Sequence, residues 1–103
     1  MKFEPLNFQW DEGNQNKNWQ KHQVSKTESE EIFFDNYKIV INDFLHSDKE
    51  KRWILFGKTK QKRILYTVFT IRKKIIRIIS ARDANKKEKK LYEKKARNSK
   101  IQK

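Results

Sequence analysis

The sequence predicts an α+β fold, with two N-terminal helices, an antiparallel sheet of about four strands and a C-terminal helix. Three observations predict it. Helix-start patterns stand at both ends: Ser25-Lys26-Thr27-Glu28 and Asn85-Lys86-Lys87-Glu88 each set a capping residue three positions before a glutamate. Between them the apolar period falls to two, as in Tyr37-Lys38-Ile39-Val40-Ile41-Asn42, where Tyr37, Ile39 and Ile41 share one face. The later strand-like runs are joined by the short links Lys58–Arg63 and Arg72–Lys74, which suit antiparallel hairpins. Helices, then a meander, then a helix is a layered α+β order.

Taken in order, Phe8-Gln9-Trp10 is a short strand candidate, and Asp11 is positioned to cap a helix over about 12–22. That helix is mostly polar, with Trp19 as its expected buried anchor. The second helix runs from the Ser25 cap to about Phe34. After the Tyr37–Asn42 strand, a polar loop from Asp43 to Lys51 leads to Arg52-Trp53-Ile54-Leu55-Phe56-Gly57. Ile64 to Ile71 is apolar on both faces, as a mid-sheet strand is. Ile75 to Arg82 follows, and the last helix extends to about Arg97, leaving 98–103 as a frayed basic tail. The 103 residues form one domain.

Composition narrows the function. The chain has no cysteine, so disulfides and thiolate metal sites are excluded. No run approaches the roughly 18 apolar residues of a membrane span, and Met1-Lys2-Phe3-Glu4-Pro5 lacks a secretory apolar stretch. A cytoplasmic protein without a membrane partner is expected. The net charge of +13 is unevenly placed. Residues 1–57 carry eight Lys/Arg against ten Asp/Glu, whereas residues 58–103 carry eighteen against three. Such a field attracts polyanions over a Debye length of about 8 Å, and nucleic acid is the indicated target.

The most informative feature is arginine inside strong strands. In Ile75-Ile76-Arg77-Ile78-Ile79-Ser80-Ala81-Arg82, strict alternation sets Arg77 with Ile75 and Ile79, and sets Ser80 and Arg82 on the other face. A guanidinium among four isoleucines must reach solvent, an acid or a ligand, and its planar fork suits phosphate oxygens. The structural alternative is snorkelling at a sheet edge, or an ion pair with Glu50 or Asp83. Arg63 and Arg52 open the two preceding strands. Acid–base candidates are few: His22, His46 and Glu50, the last of which stands two residues before Arg52. No His/Asp/Glu cluster has metal-ligand spacing, and only Gly13 and Gly57 occur, so no phosphate-cradling glycine loop exists. No cofactor is expected.

At these residues the chain resembles the BrnT toxin family over nearly its whole length. Trp10-Asp11-Glu12, Asn18, Lys21-His22 and Val24-Ser25 match the family's opening, and Phe34-Asp35 the end of its second helix. Asp43, His46, Glu50 and Arg52 match the central loop, followed by Gly57, Arg63-Ile64-Leu65 and Thr70-Ile71-Arg72. The most specific block is Ile76-Arg77-Ile78-Ile79-Ser80-Ala81-Arg82-Asp83-Ala84, with Glu88 and Tyr92 beyond it. Glycines usual in the family are replaced by Gln23, Lys62 and Lys73, and a lysine of the first helix by Asn14. The hairpin turns are therefore expected to avoid positive φ or to shift by one position.

The resemblance implies a RelE-like toxin that acts as a ribonuclease and blocks translation. It also implies a BrnA-like ribbon–helix–helix antitoxin, with operator DNA bound only through the complex, which represses its own operon. For metal-independent cleavage of RNA, Arg77, Arg82 and Arg63 are expected to converge on the scissile phosphate, with Lys21 adding charge from the first helix. Either Glu50 or His22 moves the proton, or no formal base operates. Arg52, Ser80, Lys86 and Lys87 are expected to contact the RNA. The rival from another class is a non-catalytic basic nucleic-acid-binding module.

Overall fold

The computed structural model describes residues 7–10, 12–46 and 50–101. The elements are β1 (Phe8–Gln9), α1 (Glu12–His22), α2 (Lys26–Glu31), β2 (Ile39–Asn42), β3 (Trp53–Lys58), β4 (Ile64–Arg72), β5 (Ile75–Asp83) and α3 (Lys86–Ile101). Single 3₁₀ turns occupy Ile32–Phe34 and Phe44–His46. The strands form one sheet in the order β1-β5-β4-β3-β2. β2 to β5 are antiparallel neighbours, whereas β1 runs parallel to β5. The sheet is therefore mixed and five-stranded, not a four-stranded antiparallel one. Two residues suffice for the extra strand, because Phe8 and Gln9 align with Ile76 and Arg77 on the β5 edge.

The two faces have different coverings. α1, α2 and the first 3₁₀ turn lie on what we call the inner face, where Val24, Ile32 and Phe33 pack with Leu55, Leu65, Phe69, Ile76, Ile78 and Ala81. Phe33 meets Phe69 edge-on, with ring centroids 5.0 Å apart. Gly57 is required here: a Cβ would stand 2.7 Å from the Ile32 Cβ. On the outer face α3 covers one end of the sheet, with Tyr92 set among Ile39, Phe56, Ile64 and Ala84. The Tyr92 hydroxyl donates to Asp35, whose carboxylate also accepts the Tyr37 and Lys58 amides. Burial, then Asp35, push the Tyr92 phenol above the usual tyrosine range. Among the described residues no helix is long and apolar enough to cross a membrane.

Both capping boxes form. Ser25 and Glu28 exchange side-chain and backbone bonds at α2, as do Asn85 and Glu88 at α3. The Asp11 cap lies outside the described residues, as does the side chain of His46. Two expectations on the helices change. Trp19 is 55% exposed, and among the described side chains of α1 the buried one is Asn18, whose Oδ1 accepts the Ala81 amide from the β5 edge. α3 continues to Ile101, because no glycine or proline follows Arg97 to stop it.

The turn expectation is also corrected. Gln23, Lys62 and Lys73 all have positive φ, and so does Lys74. The β4–β5 turn has φ of 51° at Lys73 and 67° at Lys74, the type I′ pattern. Lysine carries a Cβ into a region that favours glycine, so these turns hold local strain. Replacing Lys62 or Lys73 by glycine is expected to raise the unfolding free energy by about 0.5–1 kcal/mol each. The check is the urea midpoint of each variant; a lower midpoint in both would contradict the strain.

Candidate nucleic-acid interface

The register of β4 and β5 decides where the arginines point. Near the turn, Arg72 pairs with Ile75, Thr70 with Arg77 and Phe69 with Ile78. Past it, Val68 pairs with Ser80 and Tyr66 with Arg82, so Ile79 is an extra residue in β5. The bulge resets the alternation. Arg77, Ser80 and Arg82 therefore share the outer face, contrary to the strict alternation expected from the sequence. Arg77 and Arg82 stand opposite Thr70 and Tyr66, four β4 positions or roughly 13 Å apart along the strand.

At the Arg77 end, Glu50, Arg52, Thr70, Arg72, Arg77 and Ile79 line a recess of about 240 Å³. Glu50 accepts a bond from Arg72 Nε. That bond, with the charges of Arg72, Arg77 and Arg52, holds the Glu50 carboxyl below the usual glutamate range. Thr70 Oγ1 is committed to the Lys51 carbonyl at 2.8 Å. Three guanidinium groups thus line one recess together with the Glu50 carboxylate. Arg72 and Thr70 were not among the expected site residues, although Arg72 immediately precedes a two-residue turn and had to fall beside its neighbours.

Arg82 stands at the other end of the row, next to α3. Its guanidinium lies 3.9 Å from the Tyr66 ring centroid. It donates to both oxygens of Glu88, at 2.9 and 3.1 Å. Burial opposes the charge on Glu88, but Arg82 and the Asn85 amide outweigh it and hold the carboxyl low. Glu88 therefore caps α3 and orients Arg82 together. Ser80 lies between Arg77 and Arg82, and Lys86 and Lys87 are exposed in the first turn of α3. Tyr66 was not found from the sequence, since the bulge is what brings it opposite Arg82.

Arg63, Lys21 and His22 are elsewhere. Arg63 precedes Ile64 and falls on the inner side, beneath the junction of α1 and α2. Its Nε and Nη2 grip Asp83 at 2.6 and 3.0 Å. Nη2 also meets the His22 carbonyl at 2.7 Å, and Nη1 meets the Gln23 carbonyl at 2.7 Å and Glu28 at 3.2 Å. This fork is occupied by protein oxygens on every nitrogen. The expected convergence of Arg63 and the end of α1 with Arg77 on one phosphate is not what the fold builds: Lys21, His22 and Arg63 gather at the α1 C-terminus, while Arg77, Arg52 and Glu50 gather in the outer recess.

The Arg63 bond, more than any other cause, holds Asp83 below the usual aspartate range. A lowered carboxyl stabilises the fold above its unfolded value, and that contribution is lost as pH falls through the lower folded value. Thermal stability is expected to drop on acidification below about pH 4, with a shallower drop in Asp83→Asn. Arg63→Ala is expected to cost roughly 2–4 kcal/mol, since it also strips two helix-end carbonyls of donors. Lysine should rescue little, because one ammonium does not reproduce the fork. Denaturant titration reads both, and an Arg63→Ala chain of unchanged stability would contradict the assignment.

No curated protein matches the chain. Residues 10–88 match the family described as "Ribonuclease toxin, BrnT, of type II toxin-antitoxin system", a span running from Trp10 through the arginine strand to Glu88. The chain belongs to the BrnT family of ribonuclease toxins of type II toxin–antitoxin systems.

Proposed function

We propose that this chain cuts RNA on the outer face of its sheet, with the Arg52–Arg72–Arg77 recess gripping the phosphate at the cleaved bond. The observation that carries the reading is the gathering of the Arg52, Arg72 and Arg77 guanidinium groups with Glu50 around one open recess. Attack by the 2′-oxygen forms a P–O2′ bond as the P–O5′ bond breaks, giving a 2′,3′-cyclic phosphate and a 5′-hydroxyl. Water takes the 2′-hydroxyl proton and supplies one to the departing 5′-oxygen, while fixed guanidinium donors stabilise the charge growing on the phosphate. Arg82, stacked on Tyr66 and steered by Glu88, holds the backbone further along the row. Ser80, Lys86 and Lys87 add contacts, and the basic α3 tracks the strand by charge.

Proton transfer is assigned to no formal base. Glu50, held low by Arg72, is ionised but a weak acceptor at neutral pH. His22 belongs to the α1 end, where its carbonyl accepts from Arg63. Alignment and arginine electrostatics then supply most of the acceleration, independently of a metal. In this reading Arg63 is structural, and Lys21 contributes only to the general field. The protein works in the cytoplasm, inhibits translation and is neutralised by a BrnA-like ribbon–helix–helix antitoxin, with which it represses its own operon.

Purified Arg77→Ala is expected to cut RNA about 100-fold more slowly or worse, with Arg72→Ala close behind, while both chains melt normally. A 2′-deoxy substitution at the cleaved nucleotide should abolish cutting. Full cleavage by both variants would overturn the reading. Salt-sensitive binding without fragments in the unmutated protein would favour the non-catalytic binding module.

A further inference from the structure

The two borders of the sheet are treated differently. At the β5 border the chain covers itself: β1 pairs with Ile76 and Arg77, the Asn7 carbonyl takes the Ile76 amide, and Asn18 takes the Ala81 amide. At the other border, among the described residues, the sheet ends at β2. The Asp43 amide bonds the Arg52 carbonyl at 2.8 Å, so Asp43 faces β3. By antiparallel alternation Ile41 and Ile39 face β3 as well, and the N–H and C=O of Val40 and Asn42 point outward.

Natural edge strands are blunted by lysine, proline or bulges. β2 reads Ile-Val-Ile-Asn, with none of these. Its apolar side chains continue past the strand: Ile41 is 45% exposed, Phe44 85% and Leu45 87%. Such a row of large apolar groups, beside backbone that no strand among the described residues pairs with, is the template for strand addition.

We infer that the β2 edge, with Ile41, Phe44 and Leu45, docks an extended apolar segment of the protein antitoxin, which adds a sixth strand to the sheet. The inference rests on the toxin reading only for the identity of the partner. A second copy of this chain is disfavoured as occupant, because each copy carries +13. Acidic side chains of a partner are attracted by the arginine recess next to this edge. The location also suits neutralisation: Asp43, at the end of β2, is bonded to Arg52, which lines the basic recess. A docked segment running beyond Asn42 therefore arrives at the recess, where its carboxylates meet the guanidinium groups.

The test uses the full chain and the separately purified antitoxin of its own toxin–antitoxin pair. The double variant Phe44→Ser with Leu45→Ser changes only exposed side chains and should melt and cut RNA as the parent does. It is expected to bind the antitoxin about 100-fold more weakly by calorimetry. In the parent complex, hydrogen exchange at the Val40 and Asn42 amides should slow markedly. Val40→Pro removes an outward donor and should weaken binding too; if it fails to fold, the double variant decides. Unchanged affinity in the double variant, unslowed exchange at those amides, or a dimer of the isolated chain that the double variant dissociates would each overturn the inference. Arg77→Ala separates it from the nuclease reading: that chain should still form the complex, and if it also cut RNA at full rate, only the catalytic assignment would fall.

Discussion

One extra residue in β5 governs the geometry of the outer face. Ile79 breaks the alternation, so that Arg77 before it and Ser80 and Arg82 after it point the same way. Without the bulge, a single strand would send its two arginines to opposite layers, one of them into the packed interior among Ile76, Ile78 and Phe69. An unpaired guanidinium there would be very costly. The bulge thus resolves a conflict between an apolar strand and its charges, and the resolution produces a basic row on the side α3 leaves partly open.

The arginines divide by what surrounds them. Arg63 is saturated by two carboxylates and two carbonyls, and it fastens the α1–α2 junction to β5 through Asp83. Arg82 is held by Glu88 on one edge and stacked on Tyr66, a pre-oriented rather than a mobile side chain. Arg52, Arg72 and Arg77 line one recess with Glu50, whose carboxylate accepts from Arg72. In the proposed mechanism, the last group carries the chemistry because three guanidinium groups meet in one open recess there.

Much of this was legible in the sequence, and the failures have physical causes. The capping boxes at Ser25 and Asn85 and the period-two runs of β2 to β5 gave the elements, because each depends on neighbours a few residues apart. The short parallel strand β1 depends on a distant edge. Trp19 was expected inside by size, yet Asn18 is buried because the open amide of Ala81 needs an acceptor. The basic recess was half visible: Glu50, Arg52 and Arg77 were singled out as residue types, but their meeting with Arg72 requires the strand register. Continuing the turn-proximal register would set Tyr66 opposite Ala81, and no local pattern announces the bulge that sets it opposite Arg82 instead. Arg63 looked like a phosphate ligand because its partners, Glu28 and Asp83, lie 35 and 20 residues away.

In the proposed mechanism RNA engages the outer face and leaves the Arg63 side untouched. Titrating the protein with an uncleavable 2′-deoxy-substituted RNA, while following arginine side-chain Nε resonances by NMR, tests it directly. The predicted result is large shifts at Arg52, Arg72, Arg77 and Arg82 with Arg63 unmoved. Shifts concentrated at Arg63 and the end of α1, with the outer four silent, would contradict the account.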